Sequence, residues 1–122
     1  MLLIDDDNSL ADLYKKALEE AGFEFFRAVD GQEGINMAKE KKPDLILLDV
    51  LMPKLTGPEA MVKLKSEEST KGIPIIFLTN LEGEQDTSRF AGEAGASGYI
   101  VKSEVSLKEL VSKVKHGLGI NP

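Results

Sequence analysis

The chain has 122 residues, 42% of them hydrophobic and 30% charged, with fifteen basic against twenty-one acidic side chains and a net charge of −6. That length suits one domain over residues 1–122 with a sizeable core, and the acidic balance speaks against binding nucleic acid or an anionic membrane through bulk charge. Absent cysteine excludes disulfides and thiolate metal sites and fits a reducing cytoplasm, while no apolar run reaches the roughly 18 residues of a membrane span. Met1 to Ile4 is too short for a signal peptide, so a cytoplasmic location is expected.

Leu2 to Ile4 is an apolar run that ends in Asp5, Asp6 and Asp7. From Asn8 the period changes. Leu10, Leu13, Tyr14, Ala17, Leu18 and Ala21 form the stripe of an amphipathic helix, capped by Asp7 or Asn8 and stopped at Gly22. Phe23 to Val29 reads as a strand. Asp30 and Glu33 have capping-box spacing and open a second helix toward Lys41. Residues 44–49 then give four consecutive apolar side chains bounded by aspartates, the mark of a strand buried on both faces. An ionised aspartate is rarely buried unpaired, so Asp49 is expected at the C-terminal mouth of that strand.

Gly57-Pro58 can start a third helix with Ala60, Met61 and Leu64 on its apolar face. A fourth strand spans Ile73 to Thr79, with Pro74 near its start. A weakly written helix over about 84–94 follows, then a short strand from Gly98 to Val101. Ser106 and Glu109 form a capping box for the last helix, whose stripe is Leu107, Leu110, Val111, Val114 and Leu118. Five strands alternating with five helices imply βαβ units and a parallel sheet with right-handed crossovers.

If the strands are parallel, one edge of the sheet gathers Asp5, Asp6, Asp49, Thr79 and Lys102, with Asp7 beside them read as a helix cap rather than a ligand. Crowded carboxylates repel unless a cation joins them, and hard oxygen donors favour Mg²⁺ over Zn²⁺ or copper. A hydroxyl and a point cation are groups that stabilise phosphoryl oxygens. The set reads as a phosphoryl-transfer site with a carboxylate nucleophile.

With these residues in place the sequence resembles the receiver domain of two-component response regulators over nearly its whole length. The resemblance rests on Leu3-Ile-Asp5-Asp6, on Asp49-Val-Leu-Met-Pro53 with Gly57, on Leu78-Thr79, and on Gly95-Ala-Ser-Gly-Tyr-Ile-Val-Lys102. It implies a flavodoxin-like three-layer α/β sandwich, a five-stranded parallel sheet in the order 2-1-3-4-5 with five helices. It further implies that Asp49 accepts a phosphoryl group from a phosphohistidine on a histidine kinase or phosphotransfer protein. Asp5, Asp6, Asp49 and the backbone carbonyl of Leu51 would hold Mg²⁺. Thr79 and Lys102 would bind the phosphoryl group, and Tyr99 would turn inward as Thr79 moves. The output would be a shift of the face made by the fourth helix, fifth strand and last helix, and not turnover of an outside substrate.

Three departures from the family pattern matter. Receivers usually place a cis proline after the lysine, whereas here Ser103 follows Lys102. A cis bond without proline costs about 2.5–4 kcal/mol, so a trans peptide and a displaced or looser Lys102 are expected. Asn80 replaces a small residue and is expected to narrow access to the phosphoryl group. Leu51 and Leu81 are expected to hinder water and slow hydrolysis of the phosphorylated state.

Each residue has a plainer reading alone. Asp5 to Asp7 is an acidic helix start, Thr79 a strand-end hydroxyl, Lys102 a solvated lysine, Tyr99 half-buried packing and His116 ordinary surface. The rival functions are a receiver-like interaction module that works without phosphorylation, a hydrolase using an aspartyl phosphate, and a flavin-binding module. The hydrolase lacks its usual Asp-x-Asp, since Val50 and Leu51 follow Asp49, and no Ser/Thr-rich phosphate loop follows the first strand.

Overall fold

Runs of aliphatic side chains with no polar alternation form strands here because helices cover both faces of the sheet they build. The computed structural model describes residues 1–50, 52, 55–79 and 97–119. In chain order it contains β1 (Leu2–Ile4), α1 (Asn8–Glu20), β2 (Phe26–Ala28), α2 (Gly31–Lys41), β3 (Ile46–Asp49), α3 (Gly57–Lys65), β4 (Ile75–Thr79), β5 (Gly98–Val101) and α4 (Leu107–Gly117). All strand pairs are parallel and the order is β2-β1-β3-β4-β5, as expected. The helix expected over 84–94 lies outside the described residues.

Alternate residues along each strand serve two separate cores. Ile4, Ile46, Leu48 and Phe77 pack with Ile35 and Ala38 of α2 and with Ala60, Met61 and Leu64 of α3. Leu3, Leu47, Leu78 and Ile100 face the other way, onto Ala11, Tyr14 and Leu18 of α1 and Leu110 and Val114 of α4. The three layers follow directly from that division.

The helix starts are fixed by side-chain caps. Asp7 accepts the Leu10 N–H at 3.0 Å and Asp30 accepts the Glu33 N–H at 2.8 Å. Ser106 and Glu109 bond reciprocally, at 3.1 and 3.4 Å. A second reciprocal box, Thr56 with Glu59, opens α3 and was not among the sequence expectations.

The differences from expectation are local. β2 covers only Phe26–Ala28 of the expected Phe23–Val29, because the Phe23 N–H turns back to Leu18 O and pairing with β1 begins at the Phe26 N–H. In α1 the buried face runs through Ala11, and Leu13 is 54% exposed. Leu107, the first residue of α4, is also exposed, and the buried face of that helix runs through Leu110 and Val114.

Gly34 is where α2 approaches β1 most closely. A Cβ there would lie 2.7 Å from Ile4 Cγ1 and closer still to Cδ1, and Ile4 is fully buried. Gly34→Ala should therefore lower stability by about 1–3 kcal/mol despite the better helix propensity of alanine. Urea unfolding of Gly34→Ala with and without Ile4→Val measures this. The smaller partner should recover part of the loss, and an additive double mutant would contradict the contact.

Candidate functional site

Parallel pairing aligns the C-terminal ends of β1, β3, β4 and β5, and Asp5, Asp6, Asp49 and Lys102 converge there. Asp5 follows the last paired residue of β1. Its N–H donates to Ala28 O at 3.1 Å, its Oδ1 accepts the Asp7 N–H at 2.9 Å, and its Oδ2 meets Lys102 Nζ at 2.6 Å. Asp49 ends β3, 5% exposed, with Oδ1 3.2 Å from the same Nζ. Asp6 is exposed, yet ligand atoms of Asp5, Asp6 and Asp49 all lie within 4.8 Å of one another. Thr79 is buried at the end of β4, one residue beyond the Leu78 that pairs with Asp49. Tyr99 is half-buried opposite Phe77 and packs on the α2–α3 side of the sheet. Leu51, Asn80 and Leu81 lie outside the described residues, so the expectations attached to them do too.

Lys102 corrects one expectation. Its bond to Ser103 is trans, as the missing proline requires, but the side chain is not displaced. Its backbone N–H is fixed by Thr79 O at 2.8 Å, and the flexible four-carbon stem reaches both carboxylates from that anchor. Burial alone would lower the ammonium's pKa. Contact with Asp5, and after it Asp49, outweighs that and raises it above its ordinary 10.5. The ammonium remains charged where two buried carboxylates would otherwise repel.

One residue of the resemblance motif and one that escaped the sequence reading also shape this site. Gly57 lets α3 abut the acceptor strand: its N–H donates to Val50 O at 3.0 Å, and a Cβ would fall 2.8 Å from Val50 Cα. Arg27 donates from Nε to the Asp5 carbonyl at 3.0 Å. A lone guanidinium beside Phe25, Phe26 and Ala28 was the available signal.

The donor set is all hard oxygen at short mutual range, which fits Mg²⁺. An open parallel sheet with an acidic pocket at its C-terminal edge, spanned by a lysine, defines a flavodoxin-like domain built to compensate an arriving anion. The chain matches the model of the "Response regulator receiver domain" over residues 1–115. It is 40% identical over 115 residues to the phosphate regulon transcriptional regulatory protein PhoB of Pseudomonas aeruginosa, covering 94% of this chain and 49% of that protein. It is 30% identical over 119 residues to the polar-differentiation response regulator DivK of Brucella ovis, covering 98% and 95%. The crystal structure of a putative response regulator from Chloroflexus aurantiacus superposes with a TM-score of 0.88 at 33% identity, over 97% of this chain and 95% of that one.

The chain therefore belongs to the response regulator receiver family, the phosphoacceptor domains of two-component signalling. It spans about half the length of PhoB and of several other curated relatives. Receivers bind Mg²⁺ at an acidic pocket and are signalling domains that interact with histidine kinases or phosphotransfer proteins. Among the described residues no helix is long and apolar enough to cross a membrane.

Tyr14 lies beneath this pocket. Burial first, and the charge of Asp5 second, push its hydroxyl up to about 12 from an ordinary 10.0. A raised tyrosine pKa means that the fold favours the neutral form. The associated stability is complete below pH 10 and is lost as pH rises toward 12. Ultraviolet titration should show a tyrosinate transition near pH 12 that Tyr14→Phe removes, together with part of the alkaline loss of stability. Ionisation of Tyr14 near pH 10 would contradict the placement.

Proposed function

We propose that Asp49 is the phosphoacceptor of this receiver and that Asp5, Asp6 and Asp49, with the Leu51 carbonyl, form its Mg²⁺ site. The observation that carries the reading is the pairing of Asp49 Oδ1 with Lys102 Nζ beside buried Asp5. An oxygen of Asp49 attacks the phosphorus of a phosphohistidine on a kinase or phosphotransfer protein. The new O–P bond replaces the P–N bond, and the imidazole leaves with a proton from solvent. Mg²⁺ supplies positive charge to the phosphoryl oxygens when bound.

Lys102 then pairs with a phosphoryl oxygen and the Thr79 hydroxyl donates to another. The new group adds roughly two negative charges beside existing carboxylates, so drawing in Thr79 and Lys102 is electrostatically favourable. The Lys102 N–H to Thr79 O bond couples the ends of β4 and β5, which supports their moving together. Tyr99 turns inward as Thr79 moves. The face expected from the helix read over 84–94, with β5 and α4, carries the change to a downstream protein. The domain covers residues 1–122, acts in the cytoplasm, binds no nucleic acid directly, and promotes only its own phosphorylation and dephosphorylation.

A receiver-like interaction module that works without phosphorylation is the alternative that the Ser103 and Asn80 departures favour. Contact of Lys102 with both carboxylates favours the phosphoacceptor instead. Intact mass spectrometry after incubation with acetyl phosphate and Mg²⁺ should show one phosphoryl adduct, absent without Mg²⁺ and absent in Asp49→Asn. An unmodified wild-type chain would select the interaction module, and an adduct that survives in Asp49→Asn would move the acceptor elsewhere.

A further inference from the structure

The register of the sheet leaves one carbonyl of the acidic loop without its expected partner. Ile4 pairs with Ala28 and the Asp5 N–H donates to Ala28 O, so the next donor in a parallel ladder would be the Asp30 N–H. Asp30 instead lies in a bend and caps α2, its side chain accepting the Glu33 N–H. Among the described residues no backbone N–H reaches the Asp5 carbonyl. The Arg27 side chain fills the vacancy, donating from Nε at 3.0 Å. Its Nη2 is buried and, among the described residues, makes no hydrogen bond. The fork that normally favours arginine is thus not used for a bidentate pair.

We propose that Arg27 is a positioning residue for the Mg²⁺ site, acting through the Asp5 carbonyl. That bond closes the last degree of freedom at Asp5. The Asp5 N–H is held by Ala28, Oδ1 by the Asp7 N–H, and Oδ2 by Lys102. Fixing the carbonyl sets the plane of the Asp5–Asp6 peptide. Asp6 is exposed and follows directly on that peptide, so the plane sets where its Cα starts its carboxylate toward Asp5 and Asp49. Outer groups that orient ligands commonly matter to metal affinity as much as the ligands' own packing.

The inference rests on reading Asp5, Asp6 and Asp49 as the metal site. It makes a prediction opposite to that of charge alone. A guanidinium near three carboxylates repels a divalent cation, so its removal should tighten Mg²⁺ binding if charge is what counts. If positioning counts, losing the donor weakens binding. Arg27→Met and Arg27→Gln separate the two. Both lack the charge, but the glutamine amide nitrogen is the same number of bonds from Cα as arginine Nε and still donates.

Isothermal titration calorimetry with MgCl₂, alongside thermal unfolding without metal, reads the result on the full chain. Wild type should bind Mg²⁺, Arg27→Met should bind on the order of tenfold more weakly, and Arg27→Gln should stay near wild type. Equal behaviour of the two variants, or unchanged binding in Arg27→Met, overturns the positioning role while leaving the metal site standing. A wild-type chain that binds no Mg²⁺ overturns both. A lowered unfolding temperature with unaltered Mg²⁺ affinity assigns Arg27 to the fold alone and also overturns the inference.

Discussion

A single ammonium shared by two buried carboxylates is the constraint around which this molecule is arranged. Asp5 and Asp49 are removed from water at the end of a dry sheet, and each would be costly there without a counter-charge. Lys102 contacts both. The three residues stand at the C-terminal ends of different strands, separated by 44 and then 53 positions in the chain. A parallel sheet brings such distant residues together because every strand delivers its C-terminal residue to the same edge. The caps on α1, α2 and α3 and the close approach at Gly57 then settle where the chain goes on leaving that edge.

The same geometry explains how a switch can be written on a static scaffold. Formally, three carboxylates against one ammonium leave the pocket about two charges negative, close to the charge of one divalent cation. An incoming phosphoryl group adds roughly two more negative charges. Restoring balance favours movement of whatever donors are within reach, and Thr79 and Lys102 are joined through their backbones. Under the proposed function, a local change in charge is coupled to the ends of β4 and β5 through that backbone bond. Family membership supplies the signalling context, and the named roles of Asp49, Thr79 and Tyr99 remain the proposal made above.

Much of this was legible from the sequence because the strands are buried on both faces. Continuous runs such as Ile46 to Leu48, each ending in a carboxylate or hydroxyl, identify both the strand and the direction of its useful end. Helices with capping-box spacing at Asp30 and Ser106 were likewise readable, while the first was read as capped by Asp7 or Asn8 and the structure selects Asp7. What escaped depends on contacts between distant segments. Leu13 and Ala11 differ by a small rotation of α1 that a helical stripe cannot resolve. The Thr56–Glu59 box was hidden behind Gly57-Pro58, which already marked a start. Lys102 was expected to be displaced because local peptide geometry was weighed without the pull of two carboxylates. Arg27 was passed over because the role of a strand residue's side chain depends on where its neighbour's ladder ends.

The central claim is that the carboxylate meeting Lys102 and Asp5 is the one that takes the phosphoryl group. Borohydride reduction converts an aspartyl phosphate to homoserine, so reducing the phosphorylated chain and mapping its peptides reads the position chemically. The account predicts homoserine at position 49 and nowhere else. Homoserine at another aspartate, or a phosphoryl group that resists reduction because it sits on a serine, threonine or His116, would contradict it.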